Sequence, residues 1–160
     1  SLERLPRIDL LQVHKATRDV LAGDGLAKAI EMARAAGIPL FGASVKDTDS
    51  AAAALADERF LLVQFPYNSA FTDLESVFAI ARAHGKMVLI NRPFGEGRLL
   101  YGRDGNILAS ARGEALRFIL RQRFKGWILT GTTSVAHLEE NVLAFQDALR
   151  GARSPDALTS

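Results

Sequence analysis

The sequence predicts a parallel α/β fold, and three observations predict it. Five short apolar runs, at Ile8–Val13, Pro39–Ser44, Phe60–Phe65, Met87–Ile90 and Trp127–Thr130, are nearly continuous rather than alternating, as strands buried on both faces are. The segments between them carry apolar residues at helical spacing. Each run ends on or just before side chains that form hydrogen bonds, and in parallel α/β folds these ends share one face, where ligands bind.

Taken in order, Ile8–Val13 is the first expected strand and ends against His14. Leu26, Ala29, Ile30 and Ala33 fall at i, i+3, i+4 and i+7, behind Asp24 as an expected N-cap and before Gly37 as a stop. After the second strand, Ser50–Asp57 is an alanine-rich helical stretch. Thr72-Asp73-Leu74-Glu75 follows the third and fits a capping box, which would satisfy two orphan N–H donors reciprocally. Leu74, Val77, Phe78 and Ala81 then make one helix face, and Gly85 ends it. Leu116, Ile119 and Leu120 predict a helix after Arg112, and Leu138, Val142, Phe145 and Leu149 form the stripe of a last long helix. One domain is expected over residues 1–151, with a frayed tail over 152–160 around Ser154-Pro155-Asp156. The repeat fits an open doubly wound sheet or a (β/α) barrel; five strands are fewer than the eight that close such a barrel.

Composition narrows the function classes. The chain has 160 residues, 48% hydrophobic and 24% charged, with a formal net charge of +2. This gives a core and excludes disorder as the dominant state. No apolar run approaches the ~18 residues of a membrane span, so no membrane partner is expected. With no cysteine, a disulfide framework, a thiolate nucleophile and an iron–sulfur cluster are excluded. That composition fits a reducing cytoplasm. No apolar h-region follows Ser1-Leu2-Glu3-Arg4, so no signal peptide is expected. The absence of an initiator Met points to a processed chain or one beginning mid-protein.

The polar strand ends are the informative feature: His14; Ser44; Gln64 with Tyr67 and Asn68; Asn91-Arg92; and Thr130-Gly131-Thr132-Thr133-Ser134. The loop Arg92-Pro93-Phe94-Gly95-Glu96-Gly97-Arg98 offers glycines and arginines to an anion, although it is neither a Walker loop nor a dinucleotide turn. Thr132, Thr133 and Ser134 start the last helix, where backbone N–H groups suit a phosphate; Ser134 as a plain N-cap is compatible with that. His14, His84 and His137 are too scattered for a metal site, and His84 is expected at a helix C-terminus. Arg117, Arg121, Arg123 and Lys125 read as a solvated basic face rather than a nucleic-acid site, since aromatic residues are not interleaved.

These residues, in this order, resemble the C-terminal part of an aldo/keto reductase, a (β/α)8-barrel oxidoreductase that uses NADP or NAD. The stretch from Ser1-Leu2-Glu3-Arg4-Leu5 to Val13-His14 resembles a helix end and the fourth strand. Gly42-Ala43-Ser44 resembles the fifth strand, and Val63-Gln64-Phe65-Pro66-Tyr67-Asn68 the sixth. Pro93-Phe94-Gly95-Glu96-Gly97 follows the seventh. Thr130-Gly131-Thr132-Thr133-Ser134 with Leu138-Glu139-Glu140-Asn141 resembles the eighth and its cofactor-binding helix. The resemblance implies about five βα units of the eight. It also implies hydride transfer between a nicotinamide cofactor and a carbonyl or alcohol, with NADP expected and NAD possible. His14 would take the place of the active-site histidine. Ser44 and Gln64 would hold the nicotinamide carboxamide. Asn91 would stand at the nicotinamide, and Arg92, Pro93 and Phe94 would border the pyrophosphate. Gly131 would sit at the end of the eighth strand, Thr132, Thr133 and His137 near the adenosine 2′-phosphate, and Glu140 and Asn141 near the adenine.

There are departures. Val45 stands where the family has Asn, Asn91 where an aromatic often stacks on nicotinamide, and His137 where a stronger cation is common. The family's catalytic Asp, Tyr and Lys match nothing in this chain; Tyr67 and Tyr101 match other positions. Alone, the chain is therefore expected to be inactive and to pair with the missing N-terminal part or with another copy. The competing readings are a non-catalytic nucleotide-binding or assembly half-barrel, and an unrelated open α/β binding domain.

Overall fold

The computed structural model describes residues 7–153, with side chains to residue 151. Five strands form one parallel sheet in the order β1-β2-β3-β4-β5, each strand beside its predecessor in the chain. They are β1 (Leu10–Val13), β2 (Leu40–Ser44), β3 (Leu62–Pro66), β4 (Met87–Asn91) and β5 (Gly126–Ile128). Helices follow them: α1 (Arg18–Ala22) and α2 (Asp24–Ala35) after β1, α3 (Thr48–Ala56) after β2, α4 (Ser76–Ala83) after β3, α5 (Ala111–Leu120) after β4 and α6 (Val135–Arg153) after β5. All five expected strands exist, each within two residues of its expected bounds at either end. The chain divides into two compact units, residues 1–65 with 74–89, and residues 66–73 with 90–160.

In the first unit β1, β2 and β3 pair in parallel, with Leu10 opposite Leu40 and Gly42 opposite Leu62. Phe41, Ala43, Val63 and Phe65 are buried, and Phe65 meets Phe78 of α4 edge-on with ring centroids 5.3 Å apart. Each such buried aromatic contributes roughly 1.5–3 kcal/mol through area removed from water. Asp47 caps α3, its carboxylate accepting from the Ser50 backbone N–H at 2.7 Å and from the Ser50 hydroxyl at 2.9 Å. Arg59 grips Asp57 through Nε and Nη2 and also donates to the Leu21 carbonyl at 3.3 Å. Lys86 donates to the Phe60 carbonyl at 2.6 Å. Burial raises the pKa of Asp57, but the hydrogen bonds and charge of Arg59 outweigh it and hold the carboxyl below its ordinary value.

Gly42 is required by packing, since a Cβ there would lie 2.8 Å from Leu62 Cδ1 and 3.1 Å from Gln12 Cγ. Leu62 is buried and has little room to turn. Gly42→Ala is therefore expected to destabilise the protein by about 1–3 kcal/mol, the usual cost of overpacking. A chemical-denaturation midpoint unchanged from wild type would contradict this.

Helix starts differ from the sequence expectation at α2 and α4, and α3 and α5 begin earlier than expected, at Thr48 and Ala111. Asp24 is the first residue of α2 rather than its N-cap; Gly23 takes the cap position with no side-chain hydrogen bond. The stop at Gly37 holds: it has φ +84°, and Gly37 and Ile38 donate to the carbonyls of Arg34 and Ala33, the backbone pattern of a glycine C-cap. The capping box at 72–75 does not form as such, because α4 starts only at Ser76 and Glu75 occupies its N-cap. His84 caps the C-terminus of α4, as expected.

In the second unit Phe94, Ala115, Leu116 and Ala148 form a core, with Leu100, Leu120, Ile128, Ala144 and Phe145 packed against it. The expected stripe of α6 is only partly buried. Leu138 and Val142 are exposed, and the helix packs instead through Asn141, Ala144, Phe145 and Ala148. Trp127 of β5 is 54% exposed, so this strand is not covered on both faces as its apolar run suggested. Trp127, Phe124, Val142, Phe145 and Leu149 line an open apolar groove of about 600 Å³ between β5, α5 and α6. The helix continues two residues past Gly151, to Arg153; the rest of the expected tail, and the expected helix end at Ser1–Leu5, lie outside the described residues. Among those described, no helix is long and apolar enough to cross a membrane.

Candidate functional site

In the first unit the strand ends place three polar residues on adjacent strands. Ser44 pairs in register with Gln64, and His14 directly follows Val13, the partner of Ala43. The backbone holds this row. Lys15 takes a left-handed conformation (φ 51°), and the buried Ala16 donates its N–H to the Ser44 carbonyl at 2.9 Å. Val45, also buried, donates to the Gln64 carbonyl at 2.9 Å, so the position that departs from the family's Asn is a packed one. Two residues earlier on β1, the buried Oε1 of Gln12 has no hydrogen-bond partner among the described residues. His14 is exposed; Ser44 and Gln64 are half-buried.

In the second unit β4 ends at Asn91, whose backbone carbonyl accepts from the Tyr67 N–H at 3.3 Å. Asn68 donates from Nδ2 to the Arg92 carbonyl at 2.9 Å. Tyr67 is fully buried, stacks on Phe118 with centroids 5.5 Å apart, and accepts from Gln122 Nε2 at 2.8 Å. Its side chain is thus enclosed in the packing of the second unit.

The loop after β4 is tightly wound, with Arg92, Gly95, Glu96 and Gly97 all at positive φ. Gly95, Gly97, Arg98 and Leu99 spend their N–H groups on carbonyls of the same loop. Arg92 and Arg98 both pair with Glu96, at 3.3 and 3.1 Å. The loop therefore offers an anion less unspent charge and fewer free amides than its composition suggests. Ser134 caps α6: its Oγ accepts from the His137 N–H at 3.4 Å, while the Ser134 N–H donates to Thr132 Oγ1 at 3.1 Å. The plain N-cap reading of Ser134 is thus realised.

A cavity of about 490 Å³ joins these pieces within the second unit. Asn91, Arg92, Pro93, Phe94, Gly131, Thr132, His137 and Asn141 all line it, so eight residues singled out from the sequence come together. Thr133 and Glu140 are exposed and do not line it. The Oδ1 of Asn91 is buried with no hydrogen-bond partner among the described residues. Sequence reasoning missed Leu100, Leu129 and above all Arg112, whose guanidinium reaches Glu140 and Asn141 of α6. Nothing local marks that pairing, because the partners lie on different helices, 29 positions apart for Asn141.

The parallel βα order of the five strands is that of part of a (β/α)8 barrel. Solved structures similar to the chain include aldo-keto reductases. A protein of Pseudomonas aeruginosa so described matches with a TM-score of 0.73 at 25% identity, over 92% of this chain and 54% of its own. The holo form of aldo-keto reductase AKR11C1 from Bacillus halodurans matches with a TM-score of 0.73 at 20% identity, over 96% of this chain and 64% of its own. The glycerol dehydrogenase AKR11B4 from Gluconobacter oxydans matches with a TM-score of 0.62 at 16% identity, over 95% of this chain and 62% of its own. Neither a family model nor a curated protein sequence matches. The likeness is one of fold, spans nearly the whole chain, and covers little more than half of the first relative's length.

Proposed function

We propose that this chain belongs to an aldo-keto-reductase-like oxidoreductase that transfers hydride between a nicotinamide cofactor and a carbonyl or alcohol. The observation that carries this reading is the ordered set of polar strand ends on a fold shared with aldo-keto reductases over 92–96% of the chain. The residues fit such a cofactor: orphaned acceptors on Gln12 and Asn91, and a cavity edged by Arg92, Thr132 and His137, are what a polar dinucleotide would satisfy.

In this reading Ser44 and Gln64 hydrogen-bond the nicotinamide carboxamide and so fix the ring face it presents. When bound, the reduced nicotinamide supplies the hydride. His14 donates a hydrogen bond to the substrate carbonyl oxygen as negative charge grows there, and a tyrosine outside this chain supplies the proton. Arg92, Pro93 and Phe94 border the pyrophosphate, and Asn91 lies at the nicotinamide. Glu140 and Asn141 meet the adenine. The exposed apolar groove and the two outer strands accept the remainder of the barrel. The cysteine-free composition suits a cytoplasmic enzyme.

NADP is the proposed cofactor, because Thr132, Thr133 and His137 offer hydroxyls, amides and an imidazole beside the start of α6. The preference is expected to be modest, since His137 stands where a stronger cation is common. Titrating NADPH and NADH into the intact protein, followed by fluorescence, tests this: NADPH should bind more tightly. Equal affinities would refute the assignment, and binding of neither would refute the function.

A further inference from the structure

We propose that Arg112 is a positioning residue for base recognition in the cavity, acting through Asn141; this rests on the reading of that cavity as the adenosine end of a dinucleotide site. Arg112 is the second residue of α5, and its side chain is only 12% exposed. Its Nε donates to Asn141 Oδ1 at 3.1 Å, and its Nη2 pairs with Glu140 Oε2 at 2.7 Å. One largely enclosed guanidinium therefore spans two neighbouring residues of α6.

The chemistry of this contact fixes the Asn141 amide. A guanidinium has donors only, so the group facing it must be the amide oxygen. The Nδ2 group of Asn141 is then left as a donor, and it has no acceptor among the described residues. Asn141 is 6% exposed and lines the same cavity as Phe94, Leu100 and Leu129. Phe94, Leu100 and Leu129 beside this amide donor, with Arg92, Thr132 and His137 elsewhere on the wall, suit a flat heterocycle with ring-nitrogen acceptors joined to phosphate, as a purine nucleotide has. Without Arg112, the amide can rotate and present its oxygen to those acceptors. With Arg112, that rotation would set N–H against N–H in a buried place, which is costly.

The test is a double-mutant cycle in the intact protein, read by calorimetric binding of ADP, ribose 5-diphosphate and nicotinamide mononucleotide. Arg112→Met is expected to weaken ADP about tenfold, the worth of one buried hydrogen bond. Affinity for ribose 5-diphosphate and for nicotinamide mononucleotide should not change, which also reports that the fold is intact. Asn141→Ala should cost a similar factor, and the double variant little more than either alone, because both remove the same interaction. Arg112→Lys, which keeps a donor, should recover part of the loss. Additive losses, or an equal loss for all three ligands, would overturn the assignment. If wild-type protein binds ADP and Arg112→Met binds it equally well, this inference alone falls. If wild-type protein does not bind ADP, the reading of the cavity falls with it.

Discussion

Expressed alone, residues 1–160 are expected to show no carbonyl reduction with NADPH and to form oligomers or insoluble material rather than a well-behaved monomer. Two physical reasons converge. Among the described residues, the terminal strands of the sheet have no strand partner on their outer edges, and such edges template pairing with another chain. Leu11 on β1 is 42% exposed and Trp127 on β5 54%, and the apolar groove beside β5 adds surface that water covers poorly. The second reason is chemical. No tyrosine of this chain is placed to protonate a carbonyl: Tyr67 is buried against Phe118 and bonded to Gln122, and Tyr101 follows the turn Arg98–Leu100 rather than a strand end. A missing acid–base group costs 10²–10⁴-fold, roughly 3–5 kcal/mol of barrier. Light-scattering mass and an NADPH-consumption assay check both halves. Restoration of activity by co-expressing the upstream segment is the expected rescue, and a stable monomer with turnover would show that the proton donor lies within this chain.

In the intact protein, His14→Ala is expected to lower kcat/KM for carbonyl reduction by about 10²-fold or more, roughly 3 kcal/mol, with little change in NADPH affinity or stability. The imidazole is exposed and makes no hydrogen bond to another described residue, so its removal disturbs no packing. Its place is set by the backbone around it, through Lys15 and the bond from Ala16 to Ser44, and the variant keeps that backbone. Steady-state kinetics beside a cofactor titration separate the two effects. A proportional loss of cofactor affinity would make His14 a binding residue instead.

The sheet was legible because its central strands are buried on both faces, and a run such as Leu61-Leu62-Val63 or Met87-Val88-Leu89-Ile90 records that burial in the sequence itself. The outer strands carry the same kind of apolar run without that burial, so the run misled about exposure: Trp127 of β5 and Leu129 just beyond it are apolar, yet over half and nearly half of their surface is open. Helix faces were readable where one neighbour covers them, as for Leu26 and Ile30 of α2. The stripe of α6 was misread because Asn141, a polar residue, takes a buried place through its bond to Arg112. Thr72–Glu75 has the composition of a capping box, but composition does not fix where the helical turn begins, and tertiary packing starts α4 later. The polar strand ends were readable one by one. That eight of the singled-out residues would line one cavity with Arg112 depends on contacts between distant segments, which no local pattern encodes.

The match between strand order and chain order has a consequence in time. Leu10 waits for Leu40, about 30 residues later, and Gly42 for Leu62, about 20 residues later. At ~5–20 residues per second of synthesis, those waits last roughly one to six seconds. Helix formation and collapse take microseconds to about 100 μs. Among the five strands described, each one after β1 therefore emerges to find its neighbour already made. The ribosome, rather than the search for contacts, sets the pace at which this sheet widens.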